Sequence, residues 1–143
     1  MTPTLVTDAP LAYQHWRRIE DSERVVVLLH GIGGSRESFS DEMSGTGRAL
    51  AEAGLCAVAI DLPGYGGSRT IEPYDIGAMA ALVLETMWAL PRHCAARFAL
   101  VGHSMGGMVA QELVVTAPQE VDALVLMATS PAFGRAEGNW QRE

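Results

Sequence analysis

Residues 97–107 read RFALVGHSMGG: an apolar run behind an arginine, then a glycine, a histidine and a serine, and past one methionine two further glycines. A short apolar run ending in glycine is the pattern of a strand buried on both faces, as a helix-covered parallel sheet requires. The stretch that follows, MGGMVAQELVVTAP (105–118), puts Met108, Val109, Leu113 and Thr116 at helical spacing and stops before Pro118. Ser104 therefore stands on a sharp strand-to-helix turn in the arrangement Gly-x-Ser-x-Gly, with its hydroxyl exposed. Glycine two positions to either side spares Cβ collisions where strand and helix backbones close on each other. A serine hydroxyl is a poor nucleophile at neutral pH until a base takes its proton. Whether the chain holds such a base is the question the rest of the sequence must answer.

Outward from this turn the same strand pattern recurs. RVVVLLHG (24–31), LCAVAIDLPG (55–64) and VDALVLMATS (121–130) are further continuous apolar runs. Between them lie helical stretches. SRESFSDEMSGTGRALAEAG (35–54) has Ser35 as N-cap and Gly54 as C-cap, with Gly45 and Gly47 expected to split it. YDIGAMAALVLETMWAL (74–90) lines up Ile76, Met79, Ala80, Val83, Met87 and Leu90 on one face. The opening TLVTDAPLAYQHW (4–16) suits a two-stranded antiparallel start with Asp8-Ala9-Pro10 near its turn. Strands alternating with helices of this length predict an α/β fold: a doubly wound, mostly parallel sheet with helices on both faces.

Composition narrows the function classes. The chain has 143 residues, 48% of them hydrophobic and 19% charged, which suits one globular domain. A net charge of −7, with all ten basic residues arginine and none clustered, argues against nucleic acid as a partner. The glycine-rich GIGGSRE (31–37) follows a strand, yet it is neither Gly-x-Gly-x-x-Gly nor a P-loop and has no lysine. The methionine-rich stripes read as core packing rather than a cofactor box, so no cofactor and no metal are expected. Cys56 and Cys94 read as unpaired thiols of a reducing compartment. With no signal-peptide pattern and no apolar run near the length of a bilayer span, a cytoplasmic location away from membranes is expected.

In open α/β sheets ligands bind beyond the carboxyl ends of the strands, and three motifs fall there together. His30-Gly31-Ile32-Gly33-Gly34 follows the first strong strand, Asp61 to Ser68 (DLPGYGGS) the second, and Gly102-His103-Ser104-Met105-Gly106 the third. The helix opening at Met105 turns its free N–H groups and positive dipole end toward the site. The Ile32 and Met105 amides would together make an oxyanion hole.

These three motifs, in this order, resemble the N-terminal half of an α/β-hydrolase over residues 24–130. The resemblance implies Ser104 as nucleophile, Ile32 and Met105 amides as oxyanion donors, His30 as a loop-shaping residue, and Asp61 with its glycines as the floor of the site. A serine at the elbow sets aside the dehalogenase and epoxide-hydrolase branches, which use aspartate there. Esterases, lactonases, cofactor-free haloperoxidases, C–C bond hydrolases and acyltransferases remain, and a small ester or lactone is the substrate expected.

The family's order is serine, then acid, then histidine. Past Ser104 the chain has no histidine, and its carboxylates there are Asp122, Glu112, Glu120, Glu137 and the terminal Glu143. His15, His30, His93 and His103 all lie in the wrong place for the base, and Asp122 begins a strand at the end opposite the site. The acid and histidine are therefore expected outside this chain, which alone should have no useful hydrolase activity: losing the histidine costs on the order of a millionfold in turnover. Residues 1–130 read as the N-terminal part of a hydrolase core and 131–143 as the start of a cap or linker. The fourth strand, lacking its neighbours, would be an apolar edge open to a complementing C-terminal segment or to self-association. The competing readings are a non-catalytic truncated α/β protein that binds a small ligand or partner, and an acyltransferase of the same fold.

Overall fold

Strands apolar on both faces demand cover on both, and the period-two alternation of side chains decides which residue meets which cover. The computed structural model describes residues 2–22, 24–91 and 97–131. In chain order they form β1 (Thr4–Val6), β2 (Tyr13–Trp16), β3 (Val25–Leu29), α1 (Thr46–Glu52), β4 (Cys56–Ile60), α2 (Ile76–Ala89), β5 (Phe98–His103), α3 (Met105–Thr116) and β6 (Val121–Met127). Short 3₁₀ turns occupy Arg36–Phe39 and Pro118–Glu120. The six strands make one sheet in the order β1-β2-β4-β3-β5-β6. β3, β4, β5 and β6 run parallel, while β1 and β2 form the expected antiparallel start. β3 sits at the centre, with Val27 opposite Val58 on one side and Leu100 on the other.

Alternation along β3 and β4 divides the core in two. Val25, Val27 and Leu29 join Cys56, Val58 and Ile60 under α2 and α3, packed by Met79, Val83, Met87, Val109 and Leu113. Val26 and Leu28 turn to the other face with Ala57 and Ala59, beneath Phe39, Ala51 and Trp16. Each of these large side chains, when fully buried, contributes about 1.5–3 kcal/mol of hydrophobic stabilisation.

The helices keep the expected positions, with instructive differences. Ser35 caps the first 3₁₀ turn, its hydroxyl accepting from the Glu37 amide at 3.1 Å. Gly45, at φ 71°, divides the 35–54 stretch, but Gly47 does not: it lies inside α1. A Cβ on Gly47 would come within 2.4 Å of the Trp16 ring, so close helix–sheet contact rather than chain reversal accounts for this glycine. Asp75 caps α2 through a 2.7 Å bond from the Ala78 amide, and the face expected of that helix is the buried one. Thr86 joins it, fully buried, because its hydroxyl accepts from the Leu11 amide and donates to the Leu82 carbonyl. On α3 the inward face is Met105, Gly106, Val109, Ala110 and Leu113. Met108 is half-buried and Thr116 exposed, a shift of the face caused by the two glycines that let the helix start press on the sheet.

β6 is an edge. Behind buried Val121, its Leu124, Val125, Leu126 and Met127 are 36–51% exposed. Asp122 lies at the amino end of this strand and pairs bidentately with Arg24, one of the two bonds measuring 3.0 Å. It is thus held at the end of the sheet away from Ser104. Cys56 is a free, buried thiol, and burial pushes its pKa up to about 12; Cys94, His93 and the expected 131–143 segment beyond Pro131 lie outside the described residues. No helix among the described residues is long and apolar enough to cross a membrane.

Candidate active site

The carboxyl ends of β3, β4, β5 and β6 converge on the turn between β5 and α3. Ser104 occupies it with φ 53° and ψ −117°, a conformation that costs a non-glycine residue on the order of 1–3 kcal/mol. Three glycines make the turn possible by letting backbones touch. A Cβ on Gly102 would lie 2.5 Å from the Gly107 Cα, and one on Gly106 only 2.2 Å from the Leu29 carbonyl oxygen. A Cβ on Gly107 would meet Thr129 at 2.5 Å.

Hydrogen bonds then pin the serine backbone. Its N–H donates to the Met127 carbonyl at 3.0 Å, and its carbonyl accepts from Gly107 N–H at 2.9 Å and Thr129 Oγ1 at 2.6 Å. Ser104 is half-buried, and among the described residues its hydroxyl makes no hydrogen bond. Met105 opens α3, so its N–H is one of the orphan donors of a helix start, while its side chain is buried in the core.

The loop after β3 packs directly on this turn: a Cβ on Gly31 would lie 3.0 Å from Ser104 Cβ and 3.3 Å from His103 Nδ1. His30 holds the loop. Its Nε2 accepts the Leu62 N–H at 3.0 Å, which leaves the ring proton on Nδ1, donated to the Gly31 carbonyl at 2.8 Å. Gly34 N–H reaches the same carbonyl at 3.0 Å. Because carbonyl and amide of a trans peptide point opposite ways, fixing Gly31 O fixes the direction of the Ile32 N–H. The Ile32 side chain is 70% exposed, so the backbone is what this position offers. His30 is wholly buried, and desolvation lowers its pKa from 6.5, favouring the neutral ring that both bonds require. Tyr65 stacks edge-on against it at 5.1 Å.

Asp61 is equally buried and wholly occupied. Its carboxylate pairs with the Arg36 guanidinium and accepts the Arg36 amide at 2.7 Å and the Gly67 amide at 2.9 Å. Its own N–H donates to the Ala12 carbonyl at 2.9 Å, so the residue ties the loops after β3 and β4 and the start of β2 into one frame. Of the other described histidines, His15 bonds the Arg17 carbonyl from β2, and His103 is exposed beside the turn.

Two contributors escape the sequence reading. Arg36 carries no motif; only its place after a glycine-rich turn, opposite a buried Asp, explains it. Thr129 is signalled at most by a hydroxyl residue at the end of the fourth strand, where α/β sites gather.

A six-stranded, mostly parallel sheet with a serine on a strained strand-to-helix turn defines a class of proteins, and the comparisons agree. Residues 24–141 match the family model described as alpha/beta hydrolase fold, and the chain belongs to the α/β-hydrolase family. Among curated proteins it is 32% identical over 127 residues to a pimeloyl-[acyl-carrier protein] methyl ester esterase of Vibrio parahaemolyticus, covering 89% of this chain and 44% of that protein. Among solved structures it resembles the thioesterase domain from the curacin biosynthetic pathway, with a TM-score of 0.72 and 25% identity over 99% of this chain and 50% of that one. Epoxide hydrolase A from Mycobacterium thermoresistibile gives a TM-score of 0.71 and 25% identity over 87% of this chain and 39% of that one. The chain thus spans less than half the length of the curated relative it matches. It is a partial α/β-hydrolase related to carboxylic-ester hydrolases.

Proposed function

We propose that these residues are the N-terminal portion of a serine hydrolase that cleaves a small carboxylic ester or lactone through an acyl-enzyme on Ser104. The reading is carried by one observation: a serine held at φ 53° where β5 turns into α3, with the loop after β3 packed against its Cβ. In it, a base takes the hydroxyl proton as Oγ attacks the ester carbonyl. The Ile32 and Met105 amides receive the oxygen's negative charge, each such donor lowering the barrier by about 3–4 kcal/mol. Collapse expels the alcohol, which leaves with the proton, and water then releases the acid from the serine. Base and acid come from residues outside this chain, since no histidine follows Ser104 here. Residues 1–130 make the core and 131–143 begin a cap or linker. An ester substrate is supported by the names of the curated relatives, which are methyl ester esterases; the site needs no cofactor, and the cytoplasm is where it works.

The test joins this chain to the part of the Vibrio parahaemolyticus relative that it does not span. Fluorophosphonate labelling at Ser104 and hydrolysis of p-nitrophenyl butyrate should appear in the joined protein and vanish in Ser104→Ala. Labelling of the unjoined chain at the same rate overturns the placing of base and acid outside it, and none in the joined and folded protein overturns the hydrolase reading and favours a non-catalytic binding role.

A further inference from the structure

We propose that Met127-Ala128-Thr129 is a clip that holds Ser104 in its strained geometry, with Thr129 as a positioning residue; the proposal rests on the hydrolase reading of Ser104. A strained residue persists only where its surroundings over-determine it. The bonds from Gly107 and Met108 amides to the Ser104 carbonyl are those of any helix start, and they leave the strand side of the residue free. The clip supplies that side. The Met127 carbonyl takes the Ser104 N–H at 3.0 Å, and the Thr129 hydroxyl donates to the Ser104 carbonyl at 2.6 Å, so one tripeptide grips both polar groups of one residue.

The tripeptide is shaped for this. Ala128 has φ 47°, the left-handed region, and this turn is what lets residues on either side of it face the same serine. Space for the threonine exists because Gly107 lacks a Cβ, which would lie 2.5 Å from both Thr129 Cβ and Oγ1. This accounts for the second glycine of the GG pair, which the Gly-x-Ser-x-Gly pattern does not require. Gln111 Nε2, bonded to the Ser130 carbonyl at 3.0 Å and Gly107 O at 3.2 Å, fastens the far side of the clip to α3. A threonine at 129 therefore does what its isosteric neighbour valine would not: it adds a short bond to the carbonyl of the residue whose direction matters.

The experiment compares Thr129→Val, which keeps the shape and removes the hydroxyl, with Thr129→Ser, which keeps the hydroxyl. In the full chain, the carbon-13 resonances of Ser104 report its carbonyl bond and backbone angles. In the joined protein, the rate of fluorophosphonate labelling reports its aim. Valine should shift the Ser104 carbonyl resonance and slow labelling about tenfold, the weight of one hydrogen bond. Serine should restore both to within about twofold, a rescue that a merely space-filling role would not produce. Unmoved Ser104 resonances in the valine variant, or no rescue by serine, overturn the clip. Should valine not fold, Thr129→Ala is read the same way. If Ser104 of the unaltered protein takes no label, the hydrolase reading has failed, and the resonances alone decide the clip.

Discussion

Gly106→Ala is the sharpest perturbation of the packing argued above. The added Cβ would stand 2.2 Å from the Leu29 carbonyl oxygen, 2.5 Å from its carbon and 2.6 Å from the His30 oxygen. All three are backbone atoms, and Leu29 is held in the sheet between Ile60 of β4 and Gly102 of β5. Neither side can give, so the start of α3 must lift by about 1 Å to restore ordinary contact. Overpacking typically costs about 1–3 kcal/mol, and an unyielding partner places this case at the upper end, about 3 kcal/mol. For a domain of this size that lowers Tm by roughly 10 °C. Gly77→Ala is the matched control: exposed in the first turn of α2, with its nearest neighbour 3.5 Å away, it should stabilise by about 0.5–1 kcal/mol through helix propensity alone. Urea unfolding followed by circular dichroism measures both. A Gly106→Ala variant within about 1 kcal/mol of the unaltered chain would refute the close approach of α3 to β3.

Asp61→Ala removes the buried carboxylate from the half-buried Arg36 guanidinium and from two amides, and should cost about 3 kcal/mol in the same unfolding assay; a loss under about 1 kcal/mol would mean that the frame is held elsewhere. His30 gives a pH dependence with a definite sign. Its folded pKa lies below 6.5, so its contribution is complete above that value. It is lost as the pH falls, because the unfolded chain takes the proton first. Stability measured from about pH 7.5 to about pH 5 should therefore decline, and His30→Gln should flatten that decline; an identical slope in the variant assigns the effect to another group. Val125, 51% exposed on β6, tests the open edge. Val125→Lys should reduce concentration-dependent association in sedimentation velocity, and an unaltered chain that stays monomeric removes the need for that partner.

Much of this molecule is legible without coordinates. The apolar runs at 24–31, 55–64, 97–104 and 121–130 become β3, β4, β5 and β6; β3 and β4 are buried at every position, as a strand covered on both faces requires, whereas β6 behind Val121 is exposed. Ser35 and Gly54 mark helix ends through local bonding, which local sequence suffices to specify. The order of motifs also places Ser104 at its turn. Tertiary structure alone decided what depends on distant neighbours. Gly47 belongs inside α1 because of Trp16, and Met108 leaves the core face because Gly106 and Gly107 bring α3 down on β3 and Thr129. His30, Asp61, Arg36 and Thr129 take their roles from partners 25 to 32 residues away, and period and spacing carry no information about such pairs. Backbone propensity acts over a few residues and can be read along the chain. The direction of a buried hydrogen bond is settled only when two remote segments share one space.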